Sequence, residues 1–454
     1  ATIFYNAMLP YLGERASADY EVAHRGGPVQ MDDISNRAFA YGYFGGGILL
    51  AIHLAMVSIL VDADGNMLGW VVPVALASSG LWWYGFALIT INWVPEPHIP
   101  DPVRNLTFGS ATRLALTEVR KTLGEVSRFR VLAMYIVAYF FFIDGINSVT
   151  SLAGAFGAGV LGIPLVLNMA VILLVQFVAA PSAMLFTRLA GSTSTKTALT
   201  VALVGWVVII FGAVGFAPLE LAEHDEYDFQ FDWDESGYEV TALGGVSLGE
   251  SDADQAFKAE WADILPLDVE GEISADATGS ANEERATAFL AAIGGDGHFS
   301  ASVSGGLLDG QTALGEDHPT SLGDGAIDAF PSFLRDNFWA PLGFGISLQW
   351  LFLGLLAGLL LGGSQGLARS IFGQMVPQTR SAEFFGFFGF FGRIAAFLGP
   401  LIYVLVTGLF DSRTAVLSLG VLVVIGAVLL QRIDVDAGIR VASAEDERKR
   451  GNAG

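Results

Sequence analysis

Asp144 stands alone among apolar side chains in "YFFFIDGINSV", Tyr139 to Val149. A carboxyl group in such surroundings can exchange a proton, hold a cation, or accept hydrogen bonds from a neighbouring helix. Arg393, inside "FFGFFGRIAAFLGP", is the matching cation. A guanidinium grips a carboxylate, the protein's own or a solute's, through two parallel hydrogen bonds. Asn147, Asn168, Gln176, Gln349 and Gln365 are uncharged polar groups in equally apolar runs. They can line a route for a polar solute, or bond between helices for about 0.6 kcal/mol each, the more frequent use. His53 has no evident partner in the sequence and reads as structural. Gly386, Gly389 and Gly392 recur at spacing three, which lets neighbouring backbones approach closely.

These residues sit in long apolar elements. The chain has 454 residues, 53% hydrophobic and only 15% charged, with mean hydropathy +0.54. Soluble domains carry about 25% charged residues. Apolar runs long enough to cross a hydrocarbon core of about 30 Å as helix are expected at 38–61, 67–93, 131–152, 160–186, 197–218, 340–366, 383–409 and 413–431. Their length argues against a β-barrel, whose strands span about 10 residues. Asp144 then lies about 20 Å into its span and Arg393 about 15 Å into its own. An aspartate near a helix centre costs about 2.5–3.5 kcal/mol, which the surrounding Leu, Ile, Phe and Val offset at about 0.3–0.6 kcal/mol each. Insertion therefore tolerates the acid without explaining it, and intramembrane acids usually mark a pathway or relay. Asp144 is a candidate proton carrier, and Arg393 is expected either to meet it or to bind a solute carboxylate. A permanent structural ion pair is the competing use of both.

Charge locates the rest. Residues 220–336 hold 27 acidic and 3 basic side chains, net −24, so all of the excess in the formal charge of −23 sits in one segment. No basic patch is present to bind nucleic acid. Basic residues mark the cytoplasmic side. Arg15, Arg25, Arg37, Arg104, Arg113, Arg120, Lys121, Arg128, Arg130, Arg188, Lys196, Arg369, Arg380, Arg432, Arg440, Arg448, Lys449 and Arg450 all fall on one side if the eight spans alternate. Arg369 and Arg380 read first as such topology signals. The connections near 62–66 and 153–159 have no basic residue, so the acidic segment, 219–337, is expected outside the cell. Asn105 opens a glycosylation sequon on the cytoplasmic side and is set aside.

That segment is no linker. "YDFQFDWD" and "HFSASVS" alternate as half-buried strands do, while "DADQAFKAEWADIL" and "NEERATAFLAAI" carry helical faces. A small α+β domain is expected. Its acidity fits a surface solvated in high salt, the reading favoured here. Calcium binding competes, since Asp232, Asp234 and Gly237 start like a calcium loop, but Leu243 stands where the closing glutamate belongs. No cofactor or metal is expected.

"FYNAMLP", "AYGYFGGG", "WVPEP", "AYFFFIDGINSV" and above all "GGSQGLARSIFGQMVPQTRSAEFFGFFGFFGRIAAFLGP" resemble the vacuole-effluxer-like branch of the major facilitator superfamily, over about 1–217 and 338–432. The resemblance implies an all-α polytopic bundle, helices four to twelve, with the α+β insertion. Residues 1–93 would be the remainder of the first helical half and 94–130 the central cytoplasmic loop. Residues 131–218 and 338–432 would be the second half, and 433–454 a charged cytoplasmic tail. Helices one to three are expected to be missing before Ala1. The resemblance also implies a gate in the loop between helices eight and nine. There "AMLFTRLAGSTSTK" keeps Leu185, Arg188, Gly191 and Lys196, but Ala183 and Thr187 replace the family's glycine and latching aspartate.

The expected function is secondary transport of a small solute, amino-acid efflux by resemblance, with proton and sodium as candidate coupling ions and the lipid bilayer as the setting. The alternative is a transporter-derived sensor that uses the acidic domain. The spans contain no HExxH and no GxSxG, and the chain no Walker motif, so no enzyme is expected.

Overall fold

The computed structural model describes residues 6–13, 31–60, 68–93, 107, 109, 113, 117 and 128–451, apart from 245, 247, 250, 296, 324 and 326. Arg15, Arg25, Arg104, Asn105, Arg120 and Lys121, and with them most of the central loop, lie outside the described residues. Eight helices are long and apolar enough to cross a membrane. They are α1 (Met31–Ile59), α2 (Val71–Trp93), α3 (Arg130–Leu161), α4 (Leu165–Ser192) and α5 (Thr195–Val214), then α9 (Ile346–Gln374), α10 (Ser381–Leu409) and α11 (Ser412–Gln431). All eight expected spans are helical. Several run further than hydropathy indicates: α1 begins at Met31 and α9 continues to Gln374. The added turns hold Asp32, Ser35 and Asn36 on one helix and Arg369, Ser370 and Gln374 on the other. These polar residues stay helical because they bond to one another, which a hydropathy window cannot register.

The chain forms two compact units. The helical unit comprises 1–154, 166–213 and 350–454. Glycines set its closest approaches. Gly354, Gly358 and Gly362 recur every fourth residue on α9, and a Cβ at Gly362 would stand 2.1 Å from the Ala179 carbonyl oxygen on α4. Gly145 of α3 lies equally tight on α11, where a Cβ would reach Val423 at 2.5 Å. Of the expected packing glycines, a Cβ on Gly392 would stand 3.0 Å from the Tyr139 hydroxyl, Gly386 has open space, and Gly389 is half-buried.

The second unit, 155–165 and 214–349, contains a five-stranded sheet in the order β3-β2-β1-β4-β5. Its strands are β1 (Phe229–Trp233), β2 (Tyr238–Ala242), β3 (Gly279–Ala281), β4 (Ser300–Ser304) and β5 (Thr312–Leu314). Helices α6 (Asp252–Trp261), α7 (Glu283–Ile293) and α8 (Ala329–Leu334) complete it. β1 and β4 pair in parallel and the other neighbours antiparallel. Phe229 and Phe231 alternate into a core with Val240, Trp261 and Phe289. Ser251 and Asn282 cap α6 and α7 by accepting the Asp254 and Arg285 amides. The expected helix through Leu265 stops at Trp261, yet Leu265 still reaches the core.

The stretch that opens like a calcium loop is the β1–β2 hairpin turn. Asp234 Oδ1 accepts from the Ser236 and Gly237 amides and the Ser236 hydroxyl, which holds its carboxyl below the usual range. Glu235 takes the left-handed conformation at φ 75°. The carboxylate is thus spent on the turn. Among the described residues no cluster of His, Asp and Glu could hold a metal ion.

Candidate functional site

Asp144 is fully buried on α3. Its Oδ1 accepts the Gly399 amide of α10 at 2.9 Å and the Ser148 hydroxyl at 3.3 Å. The meeting point follows from the sequence of α10. Pro400 has no N–H and its ring crowds the carbonyl four residues earlier, which loosens the helix there. Gly399 has no side chain, and a Cβ on it would overlap the Ser148 hydroxyl at 1.9 Å. Backbone and carboxylate can therefore touch. Asp144 Oδ2 is buried with no hydrogen-bond partner among the described residues. A buried carboxylate oxygen left open is costly unless it takes a proton or a cation.

Arg393 does not join Asp144. It lies six residues before Gly399, about 9 Å along the axis and 240° around it, and so on another face of α10. Its side chain is exposed, beside the exposed Phe390 and Phe397, and it forms no hydrogen bond or ion pair with a described residue. Of the two expectations for the pair, a direct contact is not seen.

Most of the other polar candidates bind helices together. Asn168 accepts from the Trp350 indole at 2.8 Å and donates to the Gly154 carbonyl at 3.3 Å. Gln349 satisfies both backbone groups of Ala217 just beyond α5. His53 has a partner after all, Ser78 of α2 at 2.8 Å. Asn147 is half-buried, and its side chain bonds no described residue. Gln365 accepts from the Tyr43 hydroxyl at 3.3 Å and belongs to a larger feature.

That feature is a polar seam along α1. Asp32, Ser35, Asn36, Phe39 and Tyr43 follow helical spacing, so they share one face. Ser35 donates to the Gly366 carbonyl at 2.7 Å. Arg369, 6% exposed, donates to the Ser35 hydroxyl at 3.0 Å, the Ser35 carbonyl at 2.9 Å and Asn6 at 3.2 Å. Its guanidinium also stands 4.6 Å above the Phe39 ring. Asn36 donates to the Thr187 hydroxyl of α4 at 2.9 Å. Asp32, 1% exposed, accepts from the Thr195 hydroxyl at 2.7 Å and the Gln374 amide at 3.4 Å. Arg369, a basic residue near the end of α9, is thus also a buried bridge between helices. Arg380, also 6% exposed, is held bidentately by Glu383. Arg188 is exposed and pairs with no described residue, so the structure brings Thr187 to the seam and leaves Arg188 out. The signal for the seam was available: polar side chains at 32, 35 and 36 match those at 369, 370 and 374.

Beneath the α9–α10 turn lies α12 (Val435–Gly451). Asp446 accepts the Gln378 and Thr379 amides and the Thr379 hydroxyl. Glu445, 1% exposed, pairs with Arg128 and with Arg448.

Eight apolar helices with buried polar bridges between them define a polytopic helical membrane protein. More closely, the chain belongs to the family described as Vacuole effluxer Atg22 like, whose pattern matches residues 1–253 and 331–443. That match extends past the expected 217 and 432, into the β1–β2 hairpin and through most of α12. The major-facilitator-type transporter YxiO of Bacillus subtilis is 21% identical over 92% of this chain and 67% of its own length. Autophagy-related protein 22 of Yarrowia lipolytica is 23% identical over 44% of this chain and 38% of its own length. Autophagy-related protein 22-1 of Penicillium rubens is 33% identical over 23% of this chain and 18% of its own. The chain thus spans about two thirds of YxiO and well under half of the fungal relatives. No solved structure matches it.

Proposed function

We infer that this transporter moves a small solute across a cell membrane by alternating access, with amino acids as the solute class and efflux as the direction. The α1 seam carries the reading. Its polar groups are buried, and their partners lie on helices of the other proposed half, so opening that end requires the contacts to break together. The arginine-bearing ends, with Arg188, Arg369, Arg380 and Arg432, face the cytoplasm, so the seam closes the cytoplasmic end and the acidic unit lies outside. Arg393 presents an open guanidinium midway along a membrane helix and receives the solute carboxylate. Asp144 is the coupling group: Oδ2 takes a proton while Oδ1 holds α10 at the Gly399–Pro400 break. The acidic outer surface suits solvation in concentrated salt, as of a halophile.

Reconstituted vesicles preloaded with a labelled amino-acid mixture test this. The intact protein is expected to exchange solute. Arg393→Gln should abolish exchange, and Asp144→Asn should make transport indifferent to a proton gradient, with both variants folded. No exchange by the intact protein under any gradient would remove the transport reading in favour of a sensor.

A further inference from the structure

Resting on the seam as the cytoplasmic closure, we propose that Asp32 is the acid of its latch, so that the negative charge sits on α1 where related carriers place it at position 187. Position 187 is a threonine here, and its hydroxyl receives the neutral amide of Asn36 at 2.9 Å. The seam still contains a carboxylate, on the opposite partner. Asp32 Oδ2 accepts from Thr195 at the start of α5, and Oδ1 from Gln374 at the end of α9. Gln374 also reaches Thr195 at 3.4 Å and Ser370 at 3.2 Å, so the four side chains form a connected group. No lysine or arginine pairs with Asp32 among the described residues. It occupies the first turn of α1, where open amides and the helix dipole favour an anion. Every side chain shown donating to it lies on α5 or α9. Separating α1 from them strips the carboxylate of those donors until water arrives. Thr195 and Gln374 also line a cavity of about 480 Å³, which gives that water a route.

The charge should therefore be exchangeable across the seam. Thr187→Asp alone would add a second buried carboxylate, against Asn36 one helical turn from Asp32, and loosen the seam. In an Asp32→Asn background the same change would restore a single acid facing Asn36. The chain contains no cysteine, so Ala180→Cys gives a clean reporter. Ala180 is 8% exposed and packs with Ala40 of α1. Maleimide labelling in membrane vesicles then reads separation of α1 from α4. Asp32→Asn is expected to label about tenfold faster than the parent, the scale of losing a charged buried hydrogen bond. Thr187→Asp should also label faster, and the double variant should return to the parent rate.

Parent-rate labelling of Asp32→Asn, while Arg369→Ala labels faster, would overturn the proposal. So would a double variant that labels as fast as Asp32→Asn. If Asp32→Asn fails to fold, Thr187→Asp alone decides: slower or unchanged labelling contradicts the assignment. Labelling needs no solute, so the latch and the transport reading can fail separately.

Discussion

Asp144 does two things with two oxygens. Oδ1 holds the Gly399 amide, and Oδ2 faces no partner in a buried site. Substitutions separate these roles. Asp144→Asn keeps an acceptor for Gly399 and removes the charge, so the thermal midpoint in detergent should stay near that of the parent. Asp144→Ala leaves the Gly399 amide unbonded and should cost about 1–3 kcal/mol, read as a lower midpoint. Equal midpoints for the two variants would mean the Oδ1 bond contributes nothing. The sequence made Asp144 visible because a lone acid among Phe and Ile is conspicuous. It did not show that the acid's partner is a backbone amide, since Gly399–Pro400 looks like ordinary helix packing. Nor did it separate Arg393 from Asp144, because depth along two helices says nothing about which faces meet.

Helix contacts here are set by glycine on one side and by short polar side chains on the other. Gly362 of α9 sits so close to the Ala179 carbonyl that no side chain fits. Gly362→Leu should push α4 from α9 and destabilise by about 1–3 kcal/mol, seen as loss of monodisperse protein after mild heating. Gly386→Ala, with open space around it, should leave the profile unchanged. Spacing-three glycines on α10 drew attention in the sequence, but the tight stripe is the spacing-four set on α9, where the facing helix presents Val171, Val178 and the Ala179 carbonyl. At α12, Arg448, by its hydrogen bond, and then Arg128 hold the Glu445 carboxyl below its ordinary value of 4.5. A lowered folded pKa means stabilisation is fully present above pH 4.5 and is lost as pH falls through the lower folded value. Hydrogen exchange in 435–451 should thus rise on acidification below pH 4.5 and stay flat from pH 5 to 7. Glu445→Gln should remove that dependence.

The molecule as a whole combines a lipid-facing helical unit with an acidic unit that has its own core. Strand alternation revealed Phe229 and Phe231, and the charge count isolated 219–337. The order β3-β2-β1-β4-β5 was not legible, because it depends on a parallel β1–β4 pairing across about 70 residues. Phe289 is fully buried against Phe229, Phe231, Phe257 and Trp261. Phe289→Ala should therefore unfold this unit, costing about 3–5 kcal/mol, while the membrane helices keep their circular-dichroism signal. Simultaneous loss of both would show that the two units do not fold separately. The eight spans were legible because hydropathy alone defines them. The seam shows in the sequence only as polar residues at helical spacing, where the helices outrun the apolar stretches that hydropathy registers.

The most direct measurement is the distance between α1 and α4 at the end carrying the seam. Arg37 and Arg188 are both exposed there, and the cysteine-free chain accepts spin labels at Arg37→Cys and Arg188→Cys without background. Pulsed electron paramagnetic resonance in lipid nanodiscs is expected to give two distance populations, a short one matching the closed seam and a longer one that grows when a transported amino acid is added. A single short distance, unchanged by any solute and by Asp32→Asn, would contradict alternating access through this end of the molecule.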